Sequence, residues 1–118
     1  MTESAQKLPV LIIDDESELR ELIALSLKRL GYEVRTFDDA TGALRFLEDQ
    51  LKTIGRVRVK AVVSDWMMPE FDGMQLLQKI RQSAYKDVPF ILVSGVVGRA
   101  QLEQAMNSGA DAILNSPH

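Results

Sequence analysis

Cysteine is absent, and the only histidine, His118, is the last residue given. The first absence excludes disulfides, thiolate metal sites and cysteine nucleophiles. The second leaves no imidazole placed for a catalytic dyad. A cysteine-free chain is compatible with a reducing compartment, and a cytoplasmic location is expected. No apolar run approaches about 20 residues, so no membrane span is expected. The start, Met1 to Lys7, is polar and contains acid, unlike a secretion signal; residues 1–7 are expected to form a flexible tail. Basic excess is also missing. Fourteen Lys and Arg stand against 17 Asp and Glu, a net charge of −3, which argues against direct nucleic-acid binding.

What remains suits one soluble domain over residues 8–118. The chain has 118 residues, 46% of them hydrophobic and 26% charged, enough to bury a core without staples. Short apolar runs alternate with helical patterns five times. Leu8 to Ile13 reads as a buried strand, apolar on both faces. Glu16 to Leu30 reads as a helix, with Leu19, Leu22, Ile23, Leu27 and Leu30 at helical spacing and Gly31 at the C-cap. Tyr32 to Phe37 predicts a weaker, edge strand, and Ala40 to about Leu51 a second helix. The basic stretch Lys52 to Lys60 reads as a solvated connection or a patch for a partner. Ala61 to Ser64 predicts a third strand running into Asp65. Asp72 and Gln75 have capping-box spacing, so a third helix should start near Gly73, with Leu76, Leu77 and Ile80 inward. Pro89 to Val93 predicts a fourth strand. Gln101 to Ser108 predicts a helix with Leu102, Ala105 and Met106 inward, closed by Gly109. Ala112 to Leu114 predicts a fifth strand. Such alternation implies an α/β fold, a doubly wound parallel sheet with functional groups at the carboxyl ends of the strands.

Those ends carry Asp14 and Asp15, Asp65, and Ser94. If strands one and three are neighbours, three carboxylates converge. Two carboxylates 4 Å apart repel by about 4 kcal/mol at an effective dielectric of 20, which a raised pKa or a bound cation must offset. An all-oxygen cluster suits a hard cation such as Mg²⁺. A carboxylate beside such an ion can accept a phosphoryl group, and the Ser94 hydroxyl could then contact a phosphoryl oxygen. Each feature alone is ordinary turn or cap chemistry; their joint placement is the signal.

Four segments resemble one family. Leu11-Ile12-Ile13-Asp14-Asp15-Glu16 resembles the first-strand signature of response-regulator receiver domains. Ser64-Asp65-Trp66-Met67-Met68-Pro69 with Asp72-Gly73 resembles the phosphoacceptor segment. Val88 to Gly95 resembles the fourth strand with its switch hydroxyl, and Gly109 to Leu114 the approach to the fifth. The resemblance implies a flavodoxin-like, five-stranded parallel sheet of order 2-1-3-4-5 and a role in two-component phosphorelay signalling rather than as an enzyme. It implies Asp65 as phosphoacceptor, Ser94 as phosphoryl contact, and Mg²⁺ held by Asp14, Asp15, Asp65 and the Met67 backbone carbonyl. Implied partners are a histidine kinase or phosphotransfer protein, with an output domain elsewhere in a longer parent chain.

Three departures qualify that expectation. Ser116, before Pro117, stands where the family has lysine, and Ile113 where it has a switch aromatic. Arg99 is a candidate substitute for the lysine. The family's fifth helix is missing, which should bare an apolar strip beside the first helix and allow homodimerisation. These departures keep open an alternative, a pseudo-receiver interaction module with a weakened or absent switch. An aspartate-nucleophile phosphohydrolase is disfavoured, because two residues after Asp65 stands Met67 rather than an acid.

Overall fold

The computed structural model describes residues 7–116. Of the expected tail, residues 1–7, the first six lie outside them, while the Lys7 Nζ donates to the Gly31 carbonyl at 2.6 Å. Elements follow in chain order as β1 (Val10–Ile13), α1 (Ser17–Arg29), β2 (Val34–Phe37), α2 (Ala40–Ile54), β3 (Ala61–Asp65), α3 (Gly73–Arg81), β4 (Phe90–Ser94), α4 (Arg99–Asn107) and β5 (Ala112–Asn115). All strands pair in parallel, in the order β2-β1-β3-β4-β5. β2 is thus an edge strand, as its mixed composition implied.

The two faces of β1 explain its unbroken apolar run. Leu11 and Ile13 join Val62, Phe90, Leu92 and the inner residues of α2, α3 and α4 in the larger core. Val10 and Ile12 face the other way, onto Ala24 and Ile23 of α1. α3 is anchored as expected, since Leu76, Leu77 and Ile80 are fully buried. Its capping box forms: Gln75 N–H donates to Asp72 Oδ1, and Asp72 N–H to Gln75 Oε1, both at 2.9 Å. Gly31 and Gly109 both adopt positive φ, as helix-ending glycines do.

Several expectations are corrected. α2 runs three residues past Leu51, to Ile54, and ends at Gly55 with φ 80°; the cationic run hid this glycine stop. In α4 only Ala105 is buried, while Leu102 and Met106 are each 44% exposed. Helical periodicity gives the spacing of a stripe but not its phase, and α4 turns a single small residue to the core. β1 and β2 are also shorter at their starts, leaving Leu8 and Tyr32 exposed.

The far face of the sheet is open along α1. Leu19, Leu22, Ile23, Leu27, Val63, Val93 and Leu114 line a cleft of about 320 Å³, where the bare apolar strip was expected.

Candidate functional site: an acid cluster at the carboxyl rim

Register brings the acids together. Ile13 pairs with Ser64, so the next residues, Asp14 and Asp65, lie side by side at the carboxyl ends of β1 and β3. Ligand oxygens of Asp14, Asp15 and Asp65 all lie within 4.8 Å of one another. Asp14 is buried, Asp65 half-buried and Asp15 exposed. The cluster is thus open on one side to solvent and ligands.

Each acid is held by its own turn. Asp14 donates its N–H to the Phe37 carbonyl at 3.1 Å and accepts the Glu16 N–H on Oδ1 at 2.9 Å. Its own carbonyl accepts from Arg20 Nη1 at 2.7 Å. Asp65 is fixed through its main chain. Its carbonyl accepts the hydroxyl of fully buried Ser64 at 2.9 Å. Gly73 N–H donates to the neighbouring Trp66 carbonyl at 3.0 Å. Gly73 packs so closely that a Cβ there would stand 2.2 Å from the Asp65 carbonyl oxygen, so only glycine permits this approach.

The cluster is electrostatically strained. Burial, then the charges of Asp14 and Asp15, push the Asp65 carboxyl up from 3.8 to about 6. Asp14 is raised too, first by burial and then by Asp15 and Glu16, although the Glu16 amide and Arg20 pull the other way. Crowded carboxylates supplying only oxygen fit a hard divalent cation. Asp14, Asp15 and Asp65 are the side chains that could hold it.

Ser94 ends β4 one step beyond Val93, the partner of Asp65. Its buried hydroxyl is engaged by Val96, accepting the amide at 3.1 Å and donating to the carbonyl at 3.0 Å. Ser116 donates its N–H to the Ser94 carbonyl at 2.7 Å, so the position without lysine adjoins Ser94. Arg99, the proposed substitute, stands at the exposed start of α4 paired with Glu103 at 3.3 Å. The Met67 side chain is exposed. Sequence reasoning missed Ser64, Gly73 as a packing residue, and Arg20. The signal available for Arg20 was a cation in the first turns of a helix that follows an acidic strand end.

An acid triad at this rim of a 2-1-3-4-5 sheet can now be set beside known proteins. Residues 10–118 match the response regulator receiver domain. The chain belongs to that family. Chemotaxis protein CheY1 of Helicobacter pylori is 32% identical over 109 residues, covering 92% of this chain and 84% of that protein. Among solved structures, Vibrio cholerae chemotaxis protein CheY4 has a TM-score of 0.79 at 27% identity, covering 96% of this chain and 89% of that one. The receiver domain of the Arabidopsis thaliana histidine kinase CKI1, complexed with Mg²⁺ and BeF₃⁻, has a TM-score of 0.79 at 28% identity, covering 92% and 80%. This receiver is therefore a two-component signalling domain of CheY type. Receivers are signalling domains rather than classical enzymes; they bind Mg²⁺ at an acidic pocket and interact with histidine kinases and phosphotransfer proteins. No helix among the described residues is long and apolar enough to cross a membrane.

Proposed function

We propose that this receiver accepts a phosphoryl group on Asp65 from a histidine kinase or phosphotransfer protein. The observation that carries the reading is the convergence of Asp14, Asp15 and Asp65 within 4.8 Å at one rim. A carboxylate oxygen of Asp65 bonds to phosphorus as the phosphorus–nitrogen bond of a phosphohistidine breaks, and the electron pair leaves on the imidazole nitrogen. At neutral pH a carboxyl with a pKa of about 6 is mostly ionised and able to attack. Asp14, Asp15, Asp65 and the Met67 carbonyl would hold Mg²⁺, which supplies charge neutralisation at the transferring oxygens. The Ser94 hydroxyl, on leaving the Val96 carbonyl, donates to a phosphoryl oxygen. The α1 cleft supports reading residues 8–118 as one receiver domain with an apolar face that a fifth helix would cover. Covering that cleft is a role for such a helix or for a homodimer partner, with an output domain elsewhere in a longer parent chain.

Incubation with Mg²⁺ and acetyl phosphate should add one phosphoryl group by intact mass, and none to Asp65→Asn. Labelling of Asp65→Asn, or none of wild type, refutes the assignment. A second reading, a pseudo-receiver that binds metal without switching, is favoured by Ser116 and by Ile113, an aliphatic side chain packed against the main core. Metal binding without labelling would select it.

A further inference from the structure

The acid cluster gathers three carboxylates, and among the described residues Arg20 is the one cation whose charge acts to lower the Asp14 pKa. Its place is unusual. It sits on the fourth residue of α1, which starts at Ser17, near the positive end of the helix dipole, where a cation is disfavoured. It is half-buried and makes no ion pair with any carboxylate among the described residues. One guanidinium nitrogen, Nη1, donates to the Asp14 carbonyl at 2.7 Å. Nε and Nη2 have no hydrogen-bond partner among the described residues. An arginine held against the dipole, tied to the main chain of a clustered acid and still carrying free donors, is suited to balancing charge on an anion.

We propose that Arg20 is the charge-balancing residue of this site, acting through Asp14 to offset the negative charge that builds when Asp65 takes a phosphoryl group. The inference rests on the phosphoacceptor reading above. Arg20 works electrostatically and by holding the β1–α1 turn; it is a positioning residue and exchanges no bond with phosphorus.

Arg20→Gln and Arg20→Lys separate charge from structure. Glutamine keeps a donor for the Asp14 carbonyl and loses the charge; lysine keeps the charge. Mg²⁺ affinity is read from Trp66 fluorescence, and labelling by acetyl phosphate at saturating Mg²⁺ from intact mass. Losing a nearby positive charge favours a cation and disfavours a phosphoryl anion, so the two readouts should diverge. Arg20→Gln should bind Mg²⁺ as tightly as wild type or tighter, yet label about fivefold or more slowly. Arg20→Lys should label within about twofold of wild type. Parallel loss of both readouts in Arg20→Gln overturns the proposal in favour of a purely structural arginine. Unchanged labelling in Arg20→Gln, or an equal defect in Arg20→Lys, overturns it as well. An unlabelled wild type would sink the phosphoacceptor reading itself, whereas a labelled wild type with an indifferent Arg20→Gln sinks this inference alone.

Discussion

Removing the charge of Asp65 should make the protein more stable. The carboxyl is raised from 3.8 to about 6 in the folded chain, chiefly by burial and then by Asp14 and Asp15. At about 1.36 kcal/mol per pH unit, that difference has an upper bound of about 3 kcal/mol. The group is only half-buried, and solvent screening reduces the figure to about 1–2 kcal/mol. The sign follows from proton binding. The folded state binds this proton more tightly than the unfolded state, so its stabilising effect is complete below about pH 4 and is lost as pH rises through about 6. Asp65→Asn, always neutral, should therefore exceed wild type by about 1–2 kcal/mol at about pH 7.5 and match it at about pH 4. For a domain of this size that corresponds to a rise in Tm of roughly 4–8 °C. Urea unfolding of both proteins at the two pH values, without divalent ions, measures the difference directly. Saturating Mg²⁺ should close the gap by stabilising wild type alone. A less stable Asp65→Asn at about pH 7.5, or a gain that does not change with pH, would refute the electrostatic argument.

The same proton competes with metal. Mg²⁺ affinity, followed by Trp66 fluorescence, should weaken by up to about tenfold per pH unit below about pH 6, and a flat profile would contradict the three-acid site. Gly73→Ala places a methyl 2.2 Å from the Asp65 carbonyl oxygen; the strain should cost about 1–3 kcal/mol in urea unfolding and weaken Mg²⁺ binding several-fold. Arg81 joins α3 to β4 and β5, donating to the carbonyls of Lys86, Val88 and Gly109 and pairing with Asp111, which also accepts the Phe90 N–H. Arg81→Met should cost about 2–4 kcal/mol, measured by chemical denaturation, with little effect on Mg²⁺ affinity.

The acid cluster was legible because its members punctuate strand ends. Asp14-Asp15 and Asp65 each follow an apolar run, and parallel register alone then puts them at one rim. α3 was legible for a similar reason, since Asp72 and Gln75 are local partners whose spacing specifies their hydrogen bonds. The misreadings arise where the deciding contact is remote in sequence. Leu102 and Met106 match a helical stripe, but what they face depends on how α4 lies over β5. Gly73 reads as the start of a helix, and nothing local reveals that Asp65's carbonyl occupies the space of its missing side chain. Arg20 is one exposed-looking cation among 14 Lys and Arg until the turn folds back and sets the Asp14 carbonyl against it.

The open cleft along α1 also bears on how stability varies with temperature. Leu22 and Leu114, which line it, remain hydrated in the folded protein, and apolar surface that is wet in both states contributes nothing to the heat-capacity increment of unfolding. That increment should fall below the ordinary ~12–15 cal/mol/K per residue. A smaller increment gives a flatter stability curve, so cooling weakens this fold less than it would a protein whose leucines are all enclosed.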